Sequence, residues 1–591
     1  MQNAVQLTLR SLDKDLDLIP LVDVPAARFK ALDPNKLRGG YYTSPEVAQW
    51  LCRWAIRAPN EHVLEPSCGN GIFLEAAAKR LRNVGASQAR ISRQIVGVEI
   101  VSREAEVARK RLTDSLGKHA VPSVFAKDFF GWWHEPNRPS FDVIVGNPPF
   151  IRYQSFPEPS RARAMHIMKS LGLSPNKLTN IWVPFVAAAV ACLKPSGRLA
   201  LVLPAELMQV TYASQLRSFL ADKFGRIDIV ACNHLFFDNA EQEVVLVLAD
   251  NARVRPSSEN VCRVALTEGE SVSDILTDDP AVLTARAQPK SIQHDSEKWL
   301  KYFLTEGEID LMRLLRATES VVRLSSHANV DIGVVTGKNE FFVLAEDQVK
   351  QYGLDEFVIP LVARSAHLEG TKFTKPHWHE LARRGERVFL LYPNGHLKRA
   401  LPKAFREYIR HGEARAYHKG YKCSIRKPWY SVPSVWNPDC FLFRQIYDFP
   451  RVVLNEAGAT STDTIHRMKC RTTPEIVAAN LYTHLTAASA EIEGRSYGGG
   501  VLELEPNEAD SLLVPAKLAM ALPLDECDRL VRAGRLVDVL AENDRLVLRG
   551  VLGLSKSECV TLHNIWVKMR DRRMNRRRRR PTPPASTEAA K

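Results

Sequence analysis

The run Phe141-Asp142-Val143-Ile144-Val145-Gly146-Asn147-Pro148-Pro149-Phe150 places a carboxamide, two prolines and an aromatic ring directly after an apolar strand. Two prolines fix the backbone and remove two N–H donors, so the carbonyl oxygens there meet little competition. The Asn147 side-chain oxygen and the Pro148 carbonyl can accept both hydrogens of one planar amine. The lone pair of an amine conjugated to a base ring is delocalised and weakly nucleophilic. Two fixed acceptors favour pyramidalisation and hold the lone pair towards an electrophile, which is positioning plus electrostatic preorganisation. Phe150 can stack on the ring that carries the amine.

A second cluster lies upstream. Val63-Leu64-Glu65-Pro66-Ser67-Cys68-Gly69-Asn70-Gly71-Ile72-Phe73 is a strand, a glycine-containing turn and a helix start. Gly69 and Gly71 let a backbone approach a ligand without a Cβ clash. An acid at the strand end suits a cationic ligand, not a pyrophosphate, and the spacing departs from both the dinucleotide fingerprint and the phosphate loop. S-adenosylmethionine, with an ammonium and a sulfonium, has that character. Glu99, ending the next strand, is placed for ribose hydroxyls. Asp128, ending the third and followed by Phe129, is placed for an adenine amine.

These residues need a scaffold. Thr43 or Ser44 can cap a helix opened by Pro45 and Glu46, with Val47, Leu51, Trp54 and Ala55 on one face. Strands are expected at 62–64, 95–98, 123–125, 142–145, 198–203, 227–231 and 244–248, with helices at 72–81, 102–116 and 182–193. Such alternation predicts an α/β architecture with a mainly parallel sheet, covered on both faces, and ligands at its carboxyl edge. The division expected is a lead-in over 1–40, a catalytic domain over 41–255, a linker over 256–320, a recognition domain over 321–515, a helical region over 516–570 and a basic disordered tail over 571–591.

A chain of 591 residues needs more than one core. It has no long apolar run for a membrane span, and Asp13, Lys14, Asp15 and Asp17 stand where a signal peptide needs an apolar stretch. Its ten cysteines contain no Cys-x-x-Cys pair, which argues against a zinc site or a disulfide framework and for a reducing cytoplasm. Of the formal +14, Lys568–Arg580 carries +8, with nine basic residues and one acid. That balance favours a polyanion partner, with Arg576 to Arg580 adding phosphate affinity without sequence information.

The Asn-Pro-Pro-Phe after Glu-Pro-x-Cys-Gly-x-Gly, with Tyr42-Thr43-Ser44-Pro45 ahead and a long C-terminal region behind, resembles the gamma-class, TaqI-type adenine-N6 methyltransferases of restriction–modification systems. The likeness implies a class I S-adenosylmethionine-dependent (Rossmann-like) domain plus a C-terminal mixed α+β target-recognition domain. It implies methyl transfer to N6 of an adenine flipped out of duplex DNA, in the cytoplasm at the nucleoid, without a metal, and with any restriction endonuclease on a separate chain. By position, Tyr42 and Thr43 would touch the methionine part of the cofactor, and Glu65, Ser67, Gly69 and Gly71 would line it. Glu99 would bind its ribose, and Asp128, Phe129 and Phe185 its adenine. Asn147, Pro148, Pro149 and Phe150 would form the catalytic tetrapeptide. Phe236 would sandwich the target base; the family usually has Pro where Phe237 stands, so the choice between them is open. The alternatives are an RNA or protein amino-group methyltransferase and a catalytically inactive DNA-binding homologue.

The recognition half resembles the family more loosely, over Val330–Phe342, Arg426–Tyr430, Asn455, Asp463, His466 and Arg467, and Arg495–Gly500. Basic groups among aromatics suit phosphate and base-edge contact. The DNA-contact candidates are Lys338, Asn339, Arg426, Trp429, Arg467 and Arg495. His466 is read as a structural hydrogen-bonding group.

Overall fold

A computed structural model describes residues 43–575 except 118–120, 152–154, 176–178, 233–242, 254–261, 295–296, 394–400, 497–499 and 519–520. The N-terminal half is built on a nine-stranded sheet of order β3-β2-β1-β4-β5-β7-β6-β8-β9. The strands are β1 Val63–Glu65, β2 Ile95–Glu99, β3 Ser123–Ala126, β4 Phe141–Gly146, β5 Leu193–Pro204, β6 Phe224–Cys232, β7 Val244–Ala252, β8 Arg263–Gly269 and β9 Pro289–Lys290. Strands β1 to β5 pair in parallel, and β7 runs antiparallel to both β5 and β6. This is the class I methyltransferase arrangement, and each of the seven strands expected from the sequence is present.

The period of two decides which core each strand residue enters. In β4, Val143 and Val145 face a core with α1 (Pro45–Ala55), α2 (Ile72–Asn83) and α3 (Ser102–Leu116). Ile144 between them faces the opposite core with α4 (Phe129–Trp133) and α5 (Trp182–Val190). Helix α1 starts as the sequence requires: Ser44 caps it by accepting from the Val47 amide at 3.4 Å, Pro45 occupies the first turn, and Val47, Leu51, Trp54 and Ala55 are buried.

The segment over 256–320 contains structure that polarity alone concealed. Strand β8 pairs in parallel with β6 from Arg263 to Gly269, extending the N-terminal sheet. Trp299, Tyr302, Ile309 and Met312 enter its core. A strand one place in from the margin, flanked only by the two-residue β9, and amphipathic helices covering that margin carry few apolar residues, so they read as linker.

The C-terminal half holds a five-stranded sheet of β10 (Ala328–Asp331), β11 (Lys372–Phe373), β12 (Cys440–Phe443), β13 (Val452–Asn455) and β14 (Ile465–Cys470), in the order β10-β14-β12-β13-β11. A separate aromatic core gathers Phe341, Phe342, Tyr408 and Tyr430, with Trp429 against it. Helices α6 (His484–Glu493) and α7 (Lys556–Met574) bridge the halves: Leu485, Ile492, Leu562 and Met569 lie in the same core as β4 and β5. Helix α7 continues to Met574, past the boundary at which the sequence points to a disordered tail. Among the described residues no helix is long and apolar enough to cross a membrane.

Candidate functional site

The turn between β1 and α2 lies at the carboxyl edge of the sheet, where strand order reverses about β1, the crevice in which open α/β sheets bind ligands. It is held by its own backbone. The Cys68 amide donates to the Val98 carbonyl at 2.9 Å, and the Gly71 amide closes the turn on the Cys68 carbonyl at 2.7 Å. The two glycines do different work. A Cβ on Gly69 would meet nothing within 4 Å, so this is open space at a left-handed position (φ +47°). A Cβ on Gly71 (φ +82°) would lie 2.8 Å from the Ala108 α-carbon. Gly71 therefore admits α3, whereas Gly69 leaves room for a ligand.

Glu65 is 2% exposed, and its Oε2 has no hydrogen-bond partner. Burial pushes its pKa well up, and the Glu99 charge adds to this; the Leu74 amide offsets them in part. A buried carboxylate with one unpartnered oxygen at a strand end fits a cationic ligand group. Glu99 also has a raised pKa, chiefly through desolvation. Its Oε2 accepts from the Gly69 amide at 2.9 Å and its Oε1 from the Val101 amide at 2.8 Å. Glu99 thus fixes the glycine turn.

The Asn-Pro-Pro-Phe segment adjoins this turn. Ser67 Oγ donates to the Asn147 carbonyl at 3.2 Å. A Cβ on Gly146 would lie 3.4 Å from Glu65 Cγ. Asn147 Nδ2 donates to Thr43 Oγ1 at 3.3 Å, which orients the amide by its nitrogen. Thr43, Glu65, Ser67, Gly69, Glu99 and Asn147 therefore form one site. The Thr43–Asn147 contact has no local sequence signature, because the two residues are 104 positions apart.

Asp128 caps α4, accepting from the Gly131 amide at 3.1 Å, and lies 3.5 Å from Arg163 Nη1, a partner the sequence reading missed. Phe129 is buried, and its ring stacks on Phe185 at 5.2 Å and on Trp132 at 6.0 Å. In this arrangement neither Phe129 nor Phe185 offers an open face, and the cluster backs Asp128 as a rigid wall. Tyr42, Phe236 and Phe237 lie outside the described residues, as do Arg576 to Arg580.

The recognition-half candidates divide sharply. Arg467 is 1% exposed. Its guanidinium donates to the Ile332 and Ser434 carbonyls at 2.7–3.1 Å, pairs with Asp331 and lies over Trp436. It is an internal strut between β10, β14 and the 434–436 loop, not a surface available to DNA. Arg426 spends both terminal nitrogens on the Thr336 and Val335 carbonyls, each at 2.7 Å. Trp429 packs on Phe341 and donates to Glu413. Arg495 is held by Glu508. His466 is buried against the Leu504 carbonyl at 2.6 Å, the structural role expected of it. Lys338 and Asn339 remain at the surface, in a cleft of about 380 Å³ with Gly337, Glu340 and Asp463.

Comparison with known proteins follows the same division. Residues 118–236 match the family model described as Eco57I restriction-modification methylase, and residues 296–548 match the C-terminal domain of Type II methyltransferase M.Eco57I. The chain is 22% identical over 490 residues to Type II methyltransferase M.AccI of Acinetobacter calcoaceticus, covering 81% of this chain and 85% of that protein. Against M.XamI of Xanthomonas campestris pv. amaranthicola the identity is 21%, with the same coverage. The solved structure of the Type IIL restriction-modification enzyme MmeI in complex with DNA is similar in fold, at 13% identity and a TM-score of 0.55, covering 91% of this chain and 80% of that one. The cofactor of this fold and of these methyltransferase relatives is S-adenosylmethionine, which suits the Glu65 carboxylate and the open Gly69.

Proposed function

We propose that the chain is a site-specific DNA methyltransferase of a restriction–modification system that methylates N6 of adenine flipped out of duplex DNA. The coarser part, a DNA methyltransferase of that class, is supported by likeness to Type II methyltransferases over four-fifths of the chain. The finer part rests on the junction of the Asn-Pro-Pro-Phe segment with the glycine turn through Ser67 and Asn147. When bound, S-adenosylmethionine supplies an electrophilic methyl group. The chain's own part is to hold the amine. Asn147 Oδ1 and the Pro148 carbonyl accept its two hydrogens, Thr43 keeps the Asn147 amide from rotating, and Phe150 stacks on the extruded ring. Extrusion costs a few kcal/mol of lost stacking and pairing, returned by such contacts.

Asn147→Ala tests this. DNA from cells expressing the chain should contain N6-methyladenine at one sequence. The variant should leave adenine unmodified while still binding cofactor and duplex, because the lost contacts act mainly at the transition state. Methylation in the variant at the parent rate, or 5-methylcytosine as the product, would sink the proposal.

A further inference from the structure

With Arg426 and Arg467 committed to the fold, the DNA surface of the recognition half must be built from other groups. From Arg415 to Lys427 the chain carries five basic residues and no acid, interleaved with Tyr417, Tyr421 and Ile425. Lys419, Lys422 and Lys427 are exposed. Tyr421 is 74% and Ile425 63% exposed, among the most exposed large apolar side chains described. Such groups on a folded surface mark a binding face. The segment is not a loose loop. Cys423 is buried beneath it, Arg426 pegs it to the Val335 and Thr336 carbonyls, and a Cβ on Gly337 would lie 2.7 Å from Lys422 Cβ. Lys338 Nζ lies over the Tyr417 ring at 5.0 Å. The basic segment and the cleft that holds Lys338 and Asn339 therefore form one continuous, supported face.

We infer that the segment from Tyr417 to Lys427, docked on the Val335–Glu340 loop, is the duplex-DNA contact of the recognition half. Lys419, Lys422 and Lys427 meet backbone phosphates, and Tyr421 and Ile425 make apolar contact within the groove. The five basic residues from Arg415 to Lys427 outnumber the two acids of the adjoining cleft, Glu340 and Asp463, and that balance selects a polyanion. Rigid pegging of lysines around two apolar side chains suits a groove flanked by phosphates better than a flexible electrostatic tail does. The inference rests on the DNA methyltransferase reading.

The test is fluorescence anisotropy of the full chain with a fluorescein-labelled mixed-sequence duplex across a salt series. Each phosphate contact contributes about 0.9 to the slope of log K against log salt, about fivefold in affinity near physiological salt. The Lys419→Gln, Lys422→Gln, Lys427→Gln triple variant should bind on the order of 100-fold more weakly, with the slope reduced by about two to three. A control triple at exposed Lys110, Lys375 and Lys556 should change far less. Tyr421→Ala should weaken binding and leave the salt slope unchanged, and thermal melts would confirm that all variants fold. If the patch variant bound like the parent, or the control lost as much, the surface would be overturned while the enzyme reading stood. If the parent bound no duplex, the enzyme reading itself would fail.

Discussion

Glu65→Gln is the substitution whose consequences the structure constrains most tightly. The carboxylate is almost fully buried, with one oxygen lacking a partner and its pKa pushed well up by burial and then by Glu99. In the free protein it therefore retains a proton above the pH at which ordinary glutamates ionise. A cationic group arriving beside it favours the ionised form, so cofactor binding should release a proton. Over the window between the lowered pKa of the complex and the raised pKa of the free protein, affinity should rise with pH; above that window it should level off. A charge-assisted hydrogen bond contributes about 1.5–3 kcal/mol, so Glu65→Gln should weaken S-adenosylmethionine by roughly 10- to 100-fold on the plateau, and by less at lower pH. Titration calorimetry in buffers of different ionisation enthalpy reads both quantities. The parent should show buffer-dependent heats and the variant flat ones.

The free protein gives an independent check of sign. A carboxyl whose folded pKa exceeds its unfolded value stabilises the fold below the unfolded pKa, and that contribution is lost as pH rises through the folded pKa. Glu65→Gln removes the loss, so the variant without cofactor should melt higher than the parent at mildly alkaline pH and similarly at low pH. A parent whose cofactor affinity is independent of pH, with no proton released, would refute the reasoning even if the variant bound poorly.

Three further outcomes follow from the geometry. Asn147→Ala should nearly abolish turnover while calorimetry shows cofactor affinity retained, separating transition-state from ground-state contacts. Arg467→Ala should destabilise the fold by about 3 kcal/mol or more, read in denaturant melts, because buried carbonyls lose their donors; a stable variant that had merely lost DNA affinity would restore Arg467 as a surface contact. Truncation after Asn575 should preserve the melting temperature, whereas truncation after Arg570 should lower it. Arg573 pairs bidentately with buried Glu491, and Arg572 pairs with Glu268 and covers Phe303.

Periodicity and strand-end residues made the catalytic half legible. Its seven strands alternate visibly with helices, and Glu65, Glu99 and Asn147 each end or follow a strand, so their convergence was implied by topology alone. The errors came from residues whose type is ambiguous without burial. Arg467 sits in a short strand beside His466, among polar neighbours, and reads as basic surface; only the tertiary fold encloses it between Ile332 and Ser434. Phe129 and Phe185 were each read as lining the cofactor's adenine; their mutual stacking depends on a contact across 56 positions that no local pattern encodes. Strand β8 was lost because a strand one place in from the sheet margin, flanked there only by the two-residue β9, carries fewer apolar residues than a central one. Arg426 could not be told from the other basic residues near it until its carbonyl partners were known.

The two halves cannot act as beads on a string. Residues of α6 and α7 belong to the same continuous core as residues of β4 and β5, so the strand that leads into Asn147 and these C-terminal helices are parts of one packed unit. Gln209 and Ser496 exchange two hydrogen bonds of 2.8 Å across the same junction, and Arg572 and Arg573 grip one half each. In the proposed reaction an extruded base would have to reach Asn147 and Phe150 closely, since misplacement on the scale of an ångström lowers a rate steeply. A flexible tether would let a correctly read sequence present its adenine at a variable distance. A shared core fixes that distance at folding, so the groups that read the duplex also set where the extruded base arrives. Under that proposal Arg572 and Arg573 would act indirectly: by pairing internally with Glu268 and Glu491 they tie the C-terminal helix to both halves.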